Sequence, residues 1–407
     1  MRGLALAVAL TVLGGSTAVA VAQTTKGPEE DKRPRVAKNI IYIQGDGMGI
    51  GQRALIRLAL KGRYGELELN KLPVAGLVRT TSVDPHELVT DSAASSTALA
   101  TGVKTRNGMV GMDPKGRPVE TILEKFKQAG KSTGLVTTAT ITGASPAAFA
   151  SHVRSRDMQS DIAKQYIENV RPDVLLGGGE NWWFPKGNPG QFPDKPDEGS
   201  QSPYGNLVEK AQRSGYTYVR NAAELQTTRS NRLLGLFANE DMVDYGPDGK
   251  YAPRVPLQQM ARKALDVLAK NPKGFFLYLE EEGIDGLSHD NNARGVIDAG
   301  RGLDTTVAEV MRFVAQHPDT LVIINGDHET GGLSVQDWDT DEQKTDPRQE
   351  GPFSVPGSNL KFGVDWTTNS HSGTDTPLTA AGPGSDRLAR VQDNTEVYQA
   401  MLAAARL

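Results

Sequence analysis

Short apolar runs set between stretches of helical spacing constrain this chain more than any other feature of its sequence. The runs are KNIIYIQ (38–44), VAGLVRT (74–80), STGLVTT (132–138), DVLLGGG (173–179), GFFLYLE (274–280) and DTLVIIN (319–325). Helical patterns fall between and beyond them, near 92–100, 117–129, 159–169, 255–270, 296–316 and 394–406. Strands that alternate with helices predict an α/β fold, a three-layer sandwich with a mostly parallel central β-sheet flanked by helices. One domain is expected over residues 38–407. Two stretches break the rhythm and read as surface insertions: 181–205, rich in Pro, Gly and aromatics, and 332–370, polar with little periodicity. Such segments inside a compact domain are lids or excursions more often than linkers.

The first 22 residues stand apart. Arg2, an apolar run from Leu4 to Leu13 and the small residues Ala20-Val21-Ala22 make a signal-peptide pattern, cleaved after Ala22 or Ala20. A membrane anchor is the alternative, but the run is short for a bilayer. Residues 23–37, charged and with two prolines, predict a flexible leader. Export to the periplasm or the medium follows, with no membrane span after cleavage. The formal net charge of −4 and the lack of a dense basic run exclude nucleic acid as an expected partner. The chain has no cysteine, so any metal site must use nitrogen and oxygen ligands.

In open α/β sheets ligands gather beyond the carboxyl ends of the strands. Asp46 follows the first run, within GDGMG. After the fifth come Glu280, Glu281 and Glu282, then Asp285 and His289. After the sixth come Asp327 and His328, within GDHETGG. Asp46 alone reads as a cap or turn residue. Asp285 and His289, four apart, share one face of a helical turn and could hold one cation. Asp327-His328 could equally be a loop hydrogen bond. Together, three clusters of hard ligands at equivalent places would repel one another without cations. His371 lies in a loop whose small neighbours would let a metal or substrate approach closely.

The octet TDSAASST (90–97) opens a run of good helix formers that Gly102 ends. Ser92 therefore sits near a helix N-terminus, where free N–H groups and the helix dipole favour an anion. It is either part of a cap or a nucleophile. The second role needs an activator, because serine is a poor nucleophile at neutral pH. No G-x-S-x-G elbow is present and no histidine partner is apparent, which leaves a metal.

DGMG (46–49), TDSAASSTALATG (90–102), HVRSR (152–156), LEEEGIDGLSH (279–289), GDHETGG (326–332) and HSGTDTP (371–377) occur in the order and spacing of the metal-dependent alkaline phosphatases. The chain resembles that family from about Asn39 to Gly384. The resemblance implies Ser92 as the nucleophile that becomes phosphoserine. It implies Asp285, His289 and His371 as ligands of one zinc, and Asp46, Asp327 and His328 with the Ser92 oxygen as ligands of a second. Arg156 would grip two phosphate oxygens. Magnesium at a third site would take Asp46, Glu280 and Ser145. The implied activity is broad-specificity hydrolysis of phosphate monoesters, and a homodimer is the implied assembly.

The chain departs from the family pattern in several places. Gly143 stands where relatives carry aspartate or histidine, Ser145 where they carry threonine, and Gly286 where they often carry lysine or histidine. Glu281 and Glu282 replace small residues and have no assigned role. A phosphodiesterase of the same superfamily is a second reading, and a non-catalytic phosphate- or metal-binding protein a third.

Overall fold

Strand β1 (Asn39–Gly45) carries the logic of the whole sheet. All its residues are buried. Ile41 and Ile43 enter one apolar core, while Ile40 and Tyr42 enter another on the opposite face. Period-two alternation of this kind, apolar on both sides, is what a strand covered by helices on both faces requires. The other strands repeat it. Phe275, Leu277 and Leu279 of β7 (Phe275–Glu281) face the first core, and Phe276 and Tyr278 the second. Val322 and Ile324 of β8 (Thr320–Asn325) oppose Leu321 and Ile323 in the same way.

These observations come from a computed structural model that describes residues 36–407, apart from 197–198, 247 and 339–348. The expected signal peptide and residues 23–35 of the expected leader lie outside the described residues. Ala37, the last residue of that leader, is buried and donates its N–H to the Ala404 carbonyl at 2.8 Å.

The remaining strands are β2 (Val74–Arg79), β3 (Ser132–Thr140), β4 (Val174–Gly178), β5 (Thr217–Val219), β6 (Leu233–Leu236), β9 (Glu329–Thr330), β10 (Ser334–Asp337), β11 (Gln349–Ser354), β12 (Lys361–Asp365), β13 (His371–Ser372), β14 (Thr376–Ala381) and β15 (Val391–Asp393). Among the described residues, seven of them join β1, β7 and β8 in one ten-stranded sheet, in the order β15-β2-β14-β8-β1-β7-β3-β4-β6-β5. From β8 to β5 every pair is parallel; β14 alone runs against both neighbours, β8 and β2. Helices Ile50–Lys61, Leu257–Leu268 and Ala293–Gln316 supply the first core. Helices Ser92–Thr101, Ile122–Gln128, Ala144–Ala150, Leu207–Arg213 and Asn394–Ala405 supply the second. The three-layer α/β sandwich expected from the sequence is the fold.

All six apolar runs are strands of the large sheet. The four strands of that sheet that were not expected are β5, β6, β14 and β15. Two are three residues long, and β14, with the sequence TPLTAA, has a proline and two threonines. The helix expected at 117–129 begins only at Ile122. Thr121 caps it, accepting from the Glu124 N–H, while the Glu124 side chain accepts from the Thr121 N–H. The insertion at 332–370 is less irregular than its composition suggests. It contains a small antiparallel sheet in the order β10-β12-β11.

β1 lies between β8 and β7, with Gln44 in register with Glu280 on one side and Asn325 on the other. The carboxyl ends of the three central strands therefore open side by side. Beneath them the Phe149 ring packs at 4.6 Å from Tyr278, 5.7 Å from Phe276 and 5.8 Å from Tyr42. Phe149→Ala is expected to cost about 3–5 kcal/mol, read as a lowered midpoint in denaturant. A change under about 1 kcal/mol would mean the cluster does not support the strand ends.

His152 links two elements on the helix Ala144–Ala150 side of the sheet. Its Nδ1 faces the Gly111 carbonyl at 2.7 Å and its Nε2 faces the Glu124 carboxylate at 3.1 Å. Both partners are acceptors, so both ring nitrogens donate and the imidazolium form is favoured. Burial opposes that charge, but Glu124 and Gly111 outweigh it and raise the pKa above 6.5. A raised histidine contributes stability below its unfolded pKa and loses it as pH rises through the folded value. His152→Ala should therefore lower the melting temperature more at pH 6 than at pH 9. Equal losses at the two values would remove the charged pair from the account.

Candidate active site

Asp46, Glu280 and Asp327 come from the ends of β1, β7 and β8, and all three are almost wholly buried. Burial, then the neighbouring carboxylate of Asp285, raises the pKa of Asp46. Burial, then Asp46, pushes Asp327 and Glu280 well above the usual carboxylate range. Gly47 allows the approach. Its φ is +65°, and a Cβ there would lie 2.5 Å from Asp285 Oδ1 and 2.7 Å from Thr330 Oγ1.

His328 completes the first group. The Thr330 hydroxyl donates to Asp285 Oδ1. Its oxygen is then left to accept from His328 Nδ1 at 3.2 Å, which leaves the Nε2 lone pair free. Burial, then the charge of His371, holds His328 well below the usual histidine range. That lone pair lies 3.4 Å from Asp46 Oδ1, 3.3 Å from Asp327 Oδ2 and 3.1 Å from Ser92 Oγ. Neither of those two carboxylate oxygens has a hydrogen-bond partner, and Glu280 Oε2 has none either. Three buried acceptors facing one point make a donor set that fits a cation.

Asp285, His289 and His371 make the second group, with ligand atoms within 4.8 Å of one another. His289 Nδ1 donates to the Asn369 carbonyl at 2.7 Å and His371 Nδ1 to the Thr90 carbonyl at 2.9 Å. The two Nε2 atoms then meet at 3.1 Å. Two neutral imidazoles would oppose lone pairs at that distance. Its hydrogen bond to Asp285 raises His289 to about 9. Burial opposes ionisation of Asp285, but His289, His328 and His371 outweigh it and hold its carboxyl below the usual range. This donor set also fits a cation, one with a preference for imidazole and carboxylate.

Ser92 is the first residue of the helix Ser92–Thr101. Every residue of that helix is buried, which its small Ala, Ser and Thr side chains allow. Asp91 is the N-cap and accepts from the Ala94 N–H at 2.9 Å. Its other oxygen accepts from the Gly108 N–H at 2.9 Å and from the Arg156 guanidinium at 3.4 Å. The Ser95 hydroxyl donates to the Asp327 carbonyl at 2.7 Å. One helix start thus carries the serine, seats the arginine and is fastened to a carboxylate strand end.

Ser145 is the second residue of the helix Ala144–Ala150 and donates to Asp46 Oδ2 at 3.0 Å. The ten residues singled out from the sequence thus lie around one centre. Three further groups were not foreseen. Thr330 orients His328, and Gln44 reaches both Ser145 and Asp46. The third is a pair of tyrosines from the loop after β6. Tyr251 donates to Glu281 at 2.5 Å and Tyr245 donates to Glu282. Their rings lie against Gly283 and Gly286, where a Cβ would come within 2.9 Å and 2.2 Å of them. Glu281 and Glu282 are therefore acceptors for this loop. The space that Gly286 leaves is filled by Tyr245.

Comparison with known proteins identifies the family. The family model for alkaline phosphatase matches residues 37–353. Streptomycin-6-phosphate phosphatase of Streptomyces griseus is 32% identical, across 100% of this chain and 97% of its own length. The alkaline phosphatase of Escherichia coli K12 is 31% identical, across 98% and 92%. Among solved structures, the alkaline phosphatase of Thermus thermophilus superposes with a TM-score of 0.76 at 25% identity, covering 94% of each chain. The enzyme of the Antarctic bacterium TAB5 gives 0.73 at 25% identity, covering 91% of this chain and 98% of that one. A variant of the TAB5 enzyme was solved with magnesium bound in its M3 site. In sequence and in fold, this chain belongs to the alkaline phosphatase family.

Proposed function

We propose that this enzyme hydrolyses a broad range of phosphate monoesters through a phosphoserine at Ser92, at a centre of two zinc ions. The observation that carries the reading is the meeting of Asp46 Oδ1, Asp327 Oδ2 and His328 Nε2 beside Ser92 Oγ. Asp285, His289 and His371 would hold the other ion. When bound, the two ions lower the pKa of the serine and take charge from the departing alcohol oxygen.

The chain's own residues supply the rest. The helix start aims Ser92 Oγ at the phosphorus, with the first free N–H groups turned toward the anion. Ser92 Oγ forms a bond to phosphorus as the bond to the alcohol oxygen breaks, and the alcohol leaves with a proton. Water then attacks the phosphoserine on the opposite side, the Ser92 Oγ–phosphorus bond breaks, and inorganic phosphate departs. Arg156, anchored on Asp91, presents a planar fork to two non-bridging oxygens throughout. That grip favours monoesters, which offer those oxygens free, over the diesters of the alternative reading. The retained serine and full ligand set also weigh against a binding protein without turnover. Export through residues 1–22 and pairing as a homodimer belong to the same proposal. Among the described residues no helix is long and apolar enough to cross a membrane.

Ser92→Ala should lower kcat for p-nitrophenyl phosphate by about 10³-fold or more, with zinc content retained. Near-wild-type turnover would displace Ser92 from the nucleophile's role. Arg156→Ala should reduce kcat/KM for monoesters by about 10²–10³-fold and leave diester turnover nearly unchanged. Equal losses on both substrates would mean that Arg156 does not select the monoester.

A further inference from the structure

The third cation, which the resemblance sets at Asp46, Glu280 and Ser145, meets a side chain that the resemblance does not explain. Gln44 lies on β1 beside Glu280 on β7 and is fully buried. Its Nε2 donates to Ser145 Oγ at 3.0 Å and to Asp46 Oδ2 at 3.2 Å. Ser145 Oγ in turn donates to Asp46 Oδ2 at 3.0 Å. The three side chains close a ring of hydrogen bonds. The only serine proton is committed to Asp46, one serine lone pair takes the amide, and Asp46 Oδ2 accepts twice.

A magnesium ion would need those same oxygens. It demands near-octahedral oxygen ligands at about 2.0–2.1 Å, and the N–H edge of an amide is positive and would repel it. Glu280 Oε2 and Gln44 Oε1 are buried without a hydrogen-bond partner, but the amide turns its N–H edge, not that oxygen, toward Ser145 and Asp46. Gly143 precedes the helix of Ser145 and has no side chain to offer. The space at Gly286 holds the Tyr245 ring. The donor set at this position therefore does not fit the group that the family implies.

We propose that the Gln44 amide takes the structural place of the third cation. It holds Ser145 and Asp46 by donation, so that Asp46 keeps its other oxygen turned toward His328. The enzyme then works with two ions and does not bind magnesium beside them. This rests on the two-ion reading above.

The test is metal binding as well as rate. Wild-type enzyme would be saturated with zinc, desalted, analysed for metals by mass spectrometry, and titrated with magnesium chloride in a calorimeter. The expected result is two zinc ions per chain, no retained magnesium, no binding heat at millimolar magnesium, and turnover indifferent to it. Gln44→Leu removes the donor at similar volume and should bind magnesium about tenfold more tightly than wild type, or more. Gln44→Met, more flexible, serves if the leucine variant does not fold. Magnesium bound by the wild-type enzyme overturns the proposal, and so does a failure of both variants to gain it. Fewer than two zinc ions in active wild-type enzyme would instead defeat the two-ion reading, whatever magnesium does.

Discussion

The interaction on which the rest depends is the repulsion among Asp46, Asp327 and Glu280. A parallel sheet places their strands side by side, and the two helix layers keep water from the strand ends. Ordinary folding would scatter such groups, because a buried charge without a partner is costly. Here the fold holds them together. The helix start at Ser92, the neutral imidazole of His328 and the donors Ser145 and Gln44 are each placed against this one accumulation of acceptors. The site is a region of the protein that the chain alone leaves electrostatically incomplete.

Thr330 illustrates how fine the adjustment is. Its one proton goes to Asp285, and that choice decides which nitrogen of His328 is bare. Outer hydrogen bonds commonly fix the tautomer of a ligating histidine in this way. Asp91 has a comparable double duty, since one carboxylate caps the serine's helix and seats Arg156. The proposed nucleophile and the proposed anion clamp are set by the same side chain, so their spacing does not depend on two independent loops.

Much of this was legible in the residue order because it follows from local rules. Apolar runs such as NIIYIQ and TLVIIN have one physical use in a chain of this composition, and the acids that follow them must lie at strand ends. What local pattern could not reveal were contacts across long stretches of sequence. The approach of His328 to Ser92 spans 236 positions and that of Gln44 to Ser145 spans 101. A glutamine inside an apolar run looks like a tolerated polar residue until the neighbouring helix is seen. β14 escaped notice for a different reason. Its proline and threonines weaken the strand signal, and its pairing with β8 and β2 is imposed by the sheet around it. The small sheet of β10, β11 and β12 was hidden likewise, in a segment whose polarity reads as loop.

The tyrosines over the helix Gly283–His289 carry a consequence for how this chain can change over time. At Gly286 a side chain and the Tyr245 ring claim the same space, and Glu282 is the counterpart of that ring's hydroxyl. The glycine, the aromatic and the acid are thus a single heritable trait spread over two distant segments. Replacing any one alone leaves a clash, a void or an unpaired carboxyl beside Asp285. A lysine or histidine at position 286 is compatible with the fold only if the loop after β6 changes at the same time.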